Sequence, residues 1–274
     1  SAWGELTAAF RLGHPVKHPV RSAAELRILR NVWEATACVE TDGMETSHAR
    51  AEALIGEAGL YVPTMDPSPV QQLVQLDMGV EGFYYLLEDC RREMEDLLEA
   101  MHRCRLQQYR ILARRTPAPA IIPVENTSST LISPRLYERY SLPHLREYVE
   151  AIHQHGKRAI LHMCGRLKHL LPAIRETGLD GINALTPPPV GDTTFEEVLD
   201  YFGEDFIIFG GVFAEDVFHR HGVSAREIHD ALEELFTPRI RAANFVLWAA
   251  ADGLPTPLDR FVAIRDWMAQ RGWR

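Results

Sequence analysis

The stretch "RAILHMC", residues 158–164, decides how this chain folds. Its run from Ala159 to Leu161 is apolar at successive positions, so both faces of an extended segment would be buried. That is the signature of a strand in a parallel sheet covered on both sides. The run stops at His162, and Gly165 follows Cys164. On its N-terminal side lies "SPRLYERYSLPHLREYVEAIHQHG" (133–156). Ser133 suits an N-cap and Pro134 the first helical position. A break is expected near Pro143 and a stop at Gly156. On the C-terminal side, "LKHLLPAIRETG" (167–178) returns to helical spacing.

The same alternation extends outward. Strands are expected in "GLYVPT" (59–64), "AIIPVE" (120–125), "GINAL" (181–185), "DFIIFGG" (205–211) and "NFVLWAA" (244–250). Helical stripes occupy 82–115, ending before Pro117, and "SAREIHDALEELF" (224–236). Strands alternating with helices read as α/β. Six strands are visible, whereas a closed (β/α) barrel has eight. Any further strand would precede residue 59, where "LRILRNVWEATACVETDGM" (26–44) offers only a weak extended run. The expectation is one domain, residues 1–274, forming a (β/α) barrel: either its first strand or strands are absent from this chain, or it is incomplete and another element covers the open edge.

The net charge of −9 argues against non-specific nucleic-acid or membrane-surface binding. No apolar run is long enough to span a bilayer, and "SAWGEL" does not resemble a signal peptide. The expected setting is the cytoplasm. Cys38, Cys90, Cys104 and Cys164 form no disulfide framework by spacing. Cys90 and Cys104 share the phase of Leu87, Met94, Leu97, Leu98 and Met101, which makes them packing residues.

Active sites of β/α barrels lie at the C-terminal ends of the strands. Those ends carry Thr64 with Asp66, Glu125 with Asn126, His162 with Cys164, Asn183 with Thr186, Gly210 with Gly211, and Asp252. In an extended segment residues i and i+2 point the same way. His162 and Cys164 can therefore face one ion, or they are a core histidine beside a buried thiol. Asp252 supplies a carboxylate that either joins them or caps the helix expected near Pro255. A nitrogen, sulfur and oxygen set suits zinc with one position left open. Other divalent metals accept it as well. Glu125 reads as a fourth ligand, a general acid or base, a substrate contact, or a rim carboxylate held in a turn. "ENTSST" (125–130) presents Asn126 and Ser128 to a polar substrate. Asn183 stands at the next strand end, and Gly210 and Gly211 let backbone approach a ligand or turn tightly. These five are the expected substrate contacts.

Taken together these segments resemble the uroporphyrinogen decarboxylase superfamily. It contains the haem-pathway decarboxylase and zinc-dependent methyltransferases that work with corrinoid proteins. "ENTSSTLISPRLYERYSLPHLREYVEAIHQHGKRAILHMCG" resembles the family's pocket acid, Ser-Pro helix start and following strand. "GLDGINALTPPPVGD", "FIIFGGV" and "FVLWAAADGLPTP" resemble its later strand ends. The resemblance implies a (β/α)8 TIM barrel whose N-terminal portion is missing or shortened here. The decarboxylase carries an Arg-rich motif in that portion, and residues 1–50 hold none. Its methyltransferase branch carries H-x-C where this chain has His162 and Cys164. That branch places a second Cys where this chain has Asp252 before Gly253.

What the resemblance implies is a zinc enzyme with His162, Cys164 and Asp252 as ligands and Glu125 orienting or protonating. It would move a methyl group between a corrinoid (cobalamin) and a small-molecule thiol or methylated substrate. A corrinoid protein or a second copy of the chain would be the partner. The alternatives are a metal-free decarboxylase-like lyase and a barrel that binds a ligand without catalysis.

Overall fold

A computed structural model describes residues 2–210, 222–248 and 256–272, apart from the side chain of Ala58. Eight strands are present among them: β1 (Ala9–Arg11), β2 (His14–Lys17), β3 (Thr64–Met65), β4 (Ala120–Pro123), β5 (Arg158–His162), β6 (Gly181–Leu185), β7 (Ile207–Gly210) and β8 (Phe245–Leu247). Strands β3 to β8 form one parallel sheet in strictly sequential order. Each strand pairs with the next after a helical crossover, the winding of a β/α barrel. The fold class expected from the sequence is thus observed, with six strands of the barrel type.

Each strand sorts its side chains to two faces. Ala120, Ile122 and Ile160 gather on the inner face, with Val62, Ile207 and Phe209 packed against them. Ile121, Ala159, Leu161, Ile182 and Ile208 turn the other way, into the large core under the helices. The apolar stretches of the sequence therefore are strands covered on both sides, though the inner cover is the thinner one.

Three expectations are corrected in detail. The run 26–44 is not extended: Ala23–Ala35 is a helix. Ser22 caps it by accepting from the Glu25 amide, and Glu25 bonds back to Ser22 Oγ. Leu26 and Leu29 are buried one helical turn apart, a 3.6-residue period that the mixed polar composition obscured. The strands found before residue 59 are the antiparallel pair β1–β2, separate from the main sheet. The long helix expected over 82–115 is two, Gly79–Asp89 and Arg91–Arg115, broken at Cys90. No glycine or proline marks that break.

The break near Pro143 takes a definite form. Tyr137–Ser141 is a π-turn, with the Leu142 amide donating to the Tyr137 carbonyl, and Leu142–His153 continues as α-helix. Proline has no amide for the carbonyl one turn earlier, so the preceding turn widens. Among the described residues no helix is long and apolar enough to cross a membrane.

Candidate functional site

The site is built where β4, β5, β6 and β8 end. His162 is the last residue of β5 and has the parity of Ile160, so it belongs to the inner face. Its Nδ1 lies 2.7 Å from Asn183 Oδ1 on β6. With the amide oriented this way Nδ1 carries the proton, and Nε2 is the basic nitrogen. The indole of Trp248, just after β8, stands edge-on to the imidazole at 6.3 Å between ring centres. Two residues on, the Cys164 thiol donates to Asn126 Oδ1 at 2.5 Å. His162, Cys164, Asn126 and Asn183 therefore meet at one rim.

Asn183 is buried, at 6% exposure. It sits where the β6–β7 register shifts, and the next residue, Ala184, has φ of 68°. A bulge of this kind turns a side chain out of strict alternation. On the other side Ser128 braces the loop that follows Cys164. Its Oγ accepts from the Arg166 amide at 3.1 Å and shares a 2.5 Å hydrogen bond with Thr130. Asp192 accepts from the amides of Leu167 and Lys168 at 2.7 and 3.1 Å. Ser128 was expected to touch substrate; here its hydroxyl ties two loops together.

Glu125 is positioned differently. The Glu125 amide donates to the His162 carbonyl at 3.0 Å, so the two backbones are joined. The side chain has the parity of Ile121, which belongs to the core under the helices. It is fully buried. Thr127 Oγ1 donates to Oε1 at 2.8 Å, while Oε2 lacks a partner within hydrogen-bond geometry among the described residues. The phenols of Tyr109, Tyr137 and Tyr148, all on the helical layer, feel its charge. Burial raises its pKa, and the nearby hydroxyls of Ser68, Thr127 and Ser141 offset only part of that. The carboxyl is a buried acid behind the strand end and not part of the amide-lined rim.

Gly210 is buried, and a Cβ there would stand 2.6 Å from the Phe195 ring. Close packing accounts for it without a ligand. Gly211 and Asp252 lie outside the described residues. Among the described residues, no third His, Cys, Asp or Glu joins His162 and Cys164 in one cluster.

Sequence reasoning singled out Asn126 and Asn183 as substrate contacts and did not see their pairing with Cys164 and His162. The signal lay in the strand register. His162 stands opposite Asn183 in the β5–β6 ladder.

Residues 68–193, which hold Glu125, Asn126, His162, Cys164 and Asn183, match the uroporphyrinogen decarboxylase (URO-D) family model. That segment, 126 of the chain's 274 residues, is similar to the family. Among solved structures, a methyltransferase from Methanosarcina mazei superposes with a TM-score of 0.63 at 12% identity. The superposition covers 98% of this chain and 77% of that one. The likeness is one of fold. No curated protein matches the chain in sequence.

Proposed function

We propose that this chain is a zinc-dependent methyltransferase of the URO-D superfamily, acting between a corrinoid and a small-molecule thiol. One observation carries the reading: an imidazole that ends β5 and a thiol two residues further on are each held by their own carboxamide. An amide acceptor on Nδ1 leaves Nε2 as the nitrogen for a metal, the second-ligand arrangement common to histidine metal sites. Asn126 carries both an acceptor and two donors, so it can hydrogen-bond Cys164 as thiol or as thiolate. Asp252, at the end of the last strand expected from sequence, is the third proposed ligand.

Bound zinc would lower the pKa of the acceptor thiol, so that thiolate is present at neutral pH. The chain's own residues do the rest. His162 and Cys164 would hold the ion. Trp248, edge-on to the His162 imidazole, would cover one side of the ion. Glu125 takes the orienting role: buried behind the strand end, it fixes the backbone that carries Asn126 and is bonded to His162. The thiol would be a small molecule, and the corrinoid would arrive on a partner protein. The methyltransferase name of the Methanosarcina mazei structure agrees with this reading.

Metal content tests it. Purified protein should hold about one zinc per chain, and His162→Ala or Cys164→Ala should lose it. Methyl transfer from a methylated corrinoid to a thiol, followed by the corrinoid's absorbance, should disappear in the same variants. Protein that binds no metal, with Cys164→Ser unchanged in every assay, would overturn the proposal.

A further inference from the structure

Far from this rim, the segment after the first long helix lies along helix Arg91–Arg115. Cys38 Sγ is 2.9 Å from Cys104 Sγ and 3.3 Å from the Cys104 carbonyl oxygen. The backbone at Cys38 and just after it is anchored to the same helix. Gln107 donates to the Cys38 carbonyl at 3.2 Å. Arg115 donates to the Thr41 carbonyl at 2.7 Å and grips both oxygens of Glu45 at 2.9 and 2.8 Å. Arg114 pairs with Glu40. The two sulfurs are thus held together by contacts that do not involve them. Helix Met44–Ile55, which follows, has no buried residue. This part of the chain is held by those polar contacts and the cysteine pair, with little help from a core.

We propose that Cys38 and Cys104 are a thiol–disulfide modification site, oxidised by exchange with a small disulfide such as glutathione disulfide. The product fastens segment 36–45 to helix Arg91–Arg115. Cys38 is half-buried and Cys104 is 5% exposed, so Cys38 is reached first. The Cys38 thiolate attacks one sulfur of the glutathione disulfide. That S–S bond breaks, and one glutathione leaves and takes up a proton. Cys104 then loses its proton and attacks Cys38 Sγ, and the second glutathione leaves. Two protein thiols give up two electrons, and one small disulfide becomes two thiols. Burial, with the Cys38 thiol beside it, pushes the Cys104 thiol up to about 11. The second step needs the Cys104 thiolate and so quickens as pH rises.

The test uses the whole chain, equilibrated with mixtures of reduced and oxidised glutathione, alkylated and mapped by peptide mass without reduction. The expected product is one cross-linked species joining the peptides of Cys38 and Cys104. Cys104→Ser should trap glutathione on Cys38. Tryptic cleavage after exposed Arg50 should slow several-fold on oxidation of the wild-type chain and be unaffected by oxidant in Cys38→Ser. Separate glutathione adducts on the two cysteines of the wild-type chain would overturn the proposal. So would oxidation confined to Cys164, or a cross-link that leaves cleavage after Arg50 unchanged.

Discussion

Glu125 and Asn126 are neighbours in sequence and serve opposite faces of the strand end. Asn126 looks to the inner rim and accepts from Cys164; Glu125 is sunk among tyrosines and hydroxyls of the helical layer. The difference is one of solvent as much as direction. Asn126 is half-buried, whereas Glu125 is fully buried with one oxygen unpartnered among the described residues. A strand end that carries a polar residue on each face is held from behind by one and equipped in front by the other. The superfamily resemblance alone would have put both in the pocket.

The largest effect should come from breaking the rear face. Glu125→Ala removes the acceptor of Thr127 and leaves buried hydroxyls around a void, a loss of about 2–4 kcal/mol. Glu125→Gln keeps the shape and removes the titration. Burial lifts the Glu125 pKa above its ordinary 4.5. Between that value and the raised one, the folded chain binds more protons than the unfolded chain. Stability from this group is therefore complete below about pH 4.5 and declines as pH rises through the raised pKa. Denaturant midpoints measured from pH 4.5 upward should fall less steeply for Glu125→Gln than for wild type. Asp77, pushed up to about 6 by burial, adds a slope of the same sign in both proteins, and His102 and His144, pushed down by burial, add one of opposite sign in both, so the difference between the two proteins reports Glu125. Equal slopes in the two proteins would show that Glu125 titrates as an ordinary carboxylate, and the rear-face assignment would fail.

The front face should respond in metal affinity and leave stability almost alone. Asn183→Ala frees His162 Nδ1 and lets the ring turn or change tautomer. On the proposed zinc site this weakens binding by roughly 10- to 100-fold. Asn183→Asp keeps an acceptor on Nδ1 and should restore most of the affinity. A chelator competition read by a zinc dye measures both. If Asn183→Ala leaves zinc affinity unchanged, the 2.7 Å contact is only packing. Comparison with Glu125→Gln sharpens the contrast: one variant moves the pH profile of stability, the other the metal constant.

Much of this arrangement was legible in the sequence, and the exceptions have physical causes. The end of β5 at His162 is marked by a short apolar run with a polar stop, β6 by the run from Gly181 to Leu185, and the parallel sheet follows from their alternation with helices. The direction of Glu125 was not legible. It depends on the parity counted from Ile121 and on the strand closing at Pro123, one or two residues that propensity does not resolve. Helix Ala23–Ala35 was missed because Arg and Glu interrupt its apolar stripe, although the Ser22–Glu25 cap was present in the sequence. Cys38 and Cys104 could not be paired, since they are brought together only by the tertiary packing of two elements far apart in the chain. Spacing carries no information about such contacts.

Gly165 sets how tightly the two faces are coupled, and replacing it is the gentlest way to disturb them. It follows Cys164 with φ of 86°, a conformation that costs a side-chain-bearing residue about 1–2 kcal/mol. A Cβ there would also meet Ser128 at 3.1 and 3.2 Å, close enough that the Ser128–Thr130 brace must give. Gly165→Ala should lower stability by about 1–2 kcal/mol. Because Ser128 receives the Arg166 amide, the strain enters the loop that aims Cys164 and leaves Glu125 untouched. The pH dependence of stability should thus stay parallel to wild type while the reactivity of Cys164 toward a thiol reagent changes. Were the pH profile to shift and the thiol rate to stay fixed, the loop would be transmitting strain to the rear face, and the two faces could not be treated as separate.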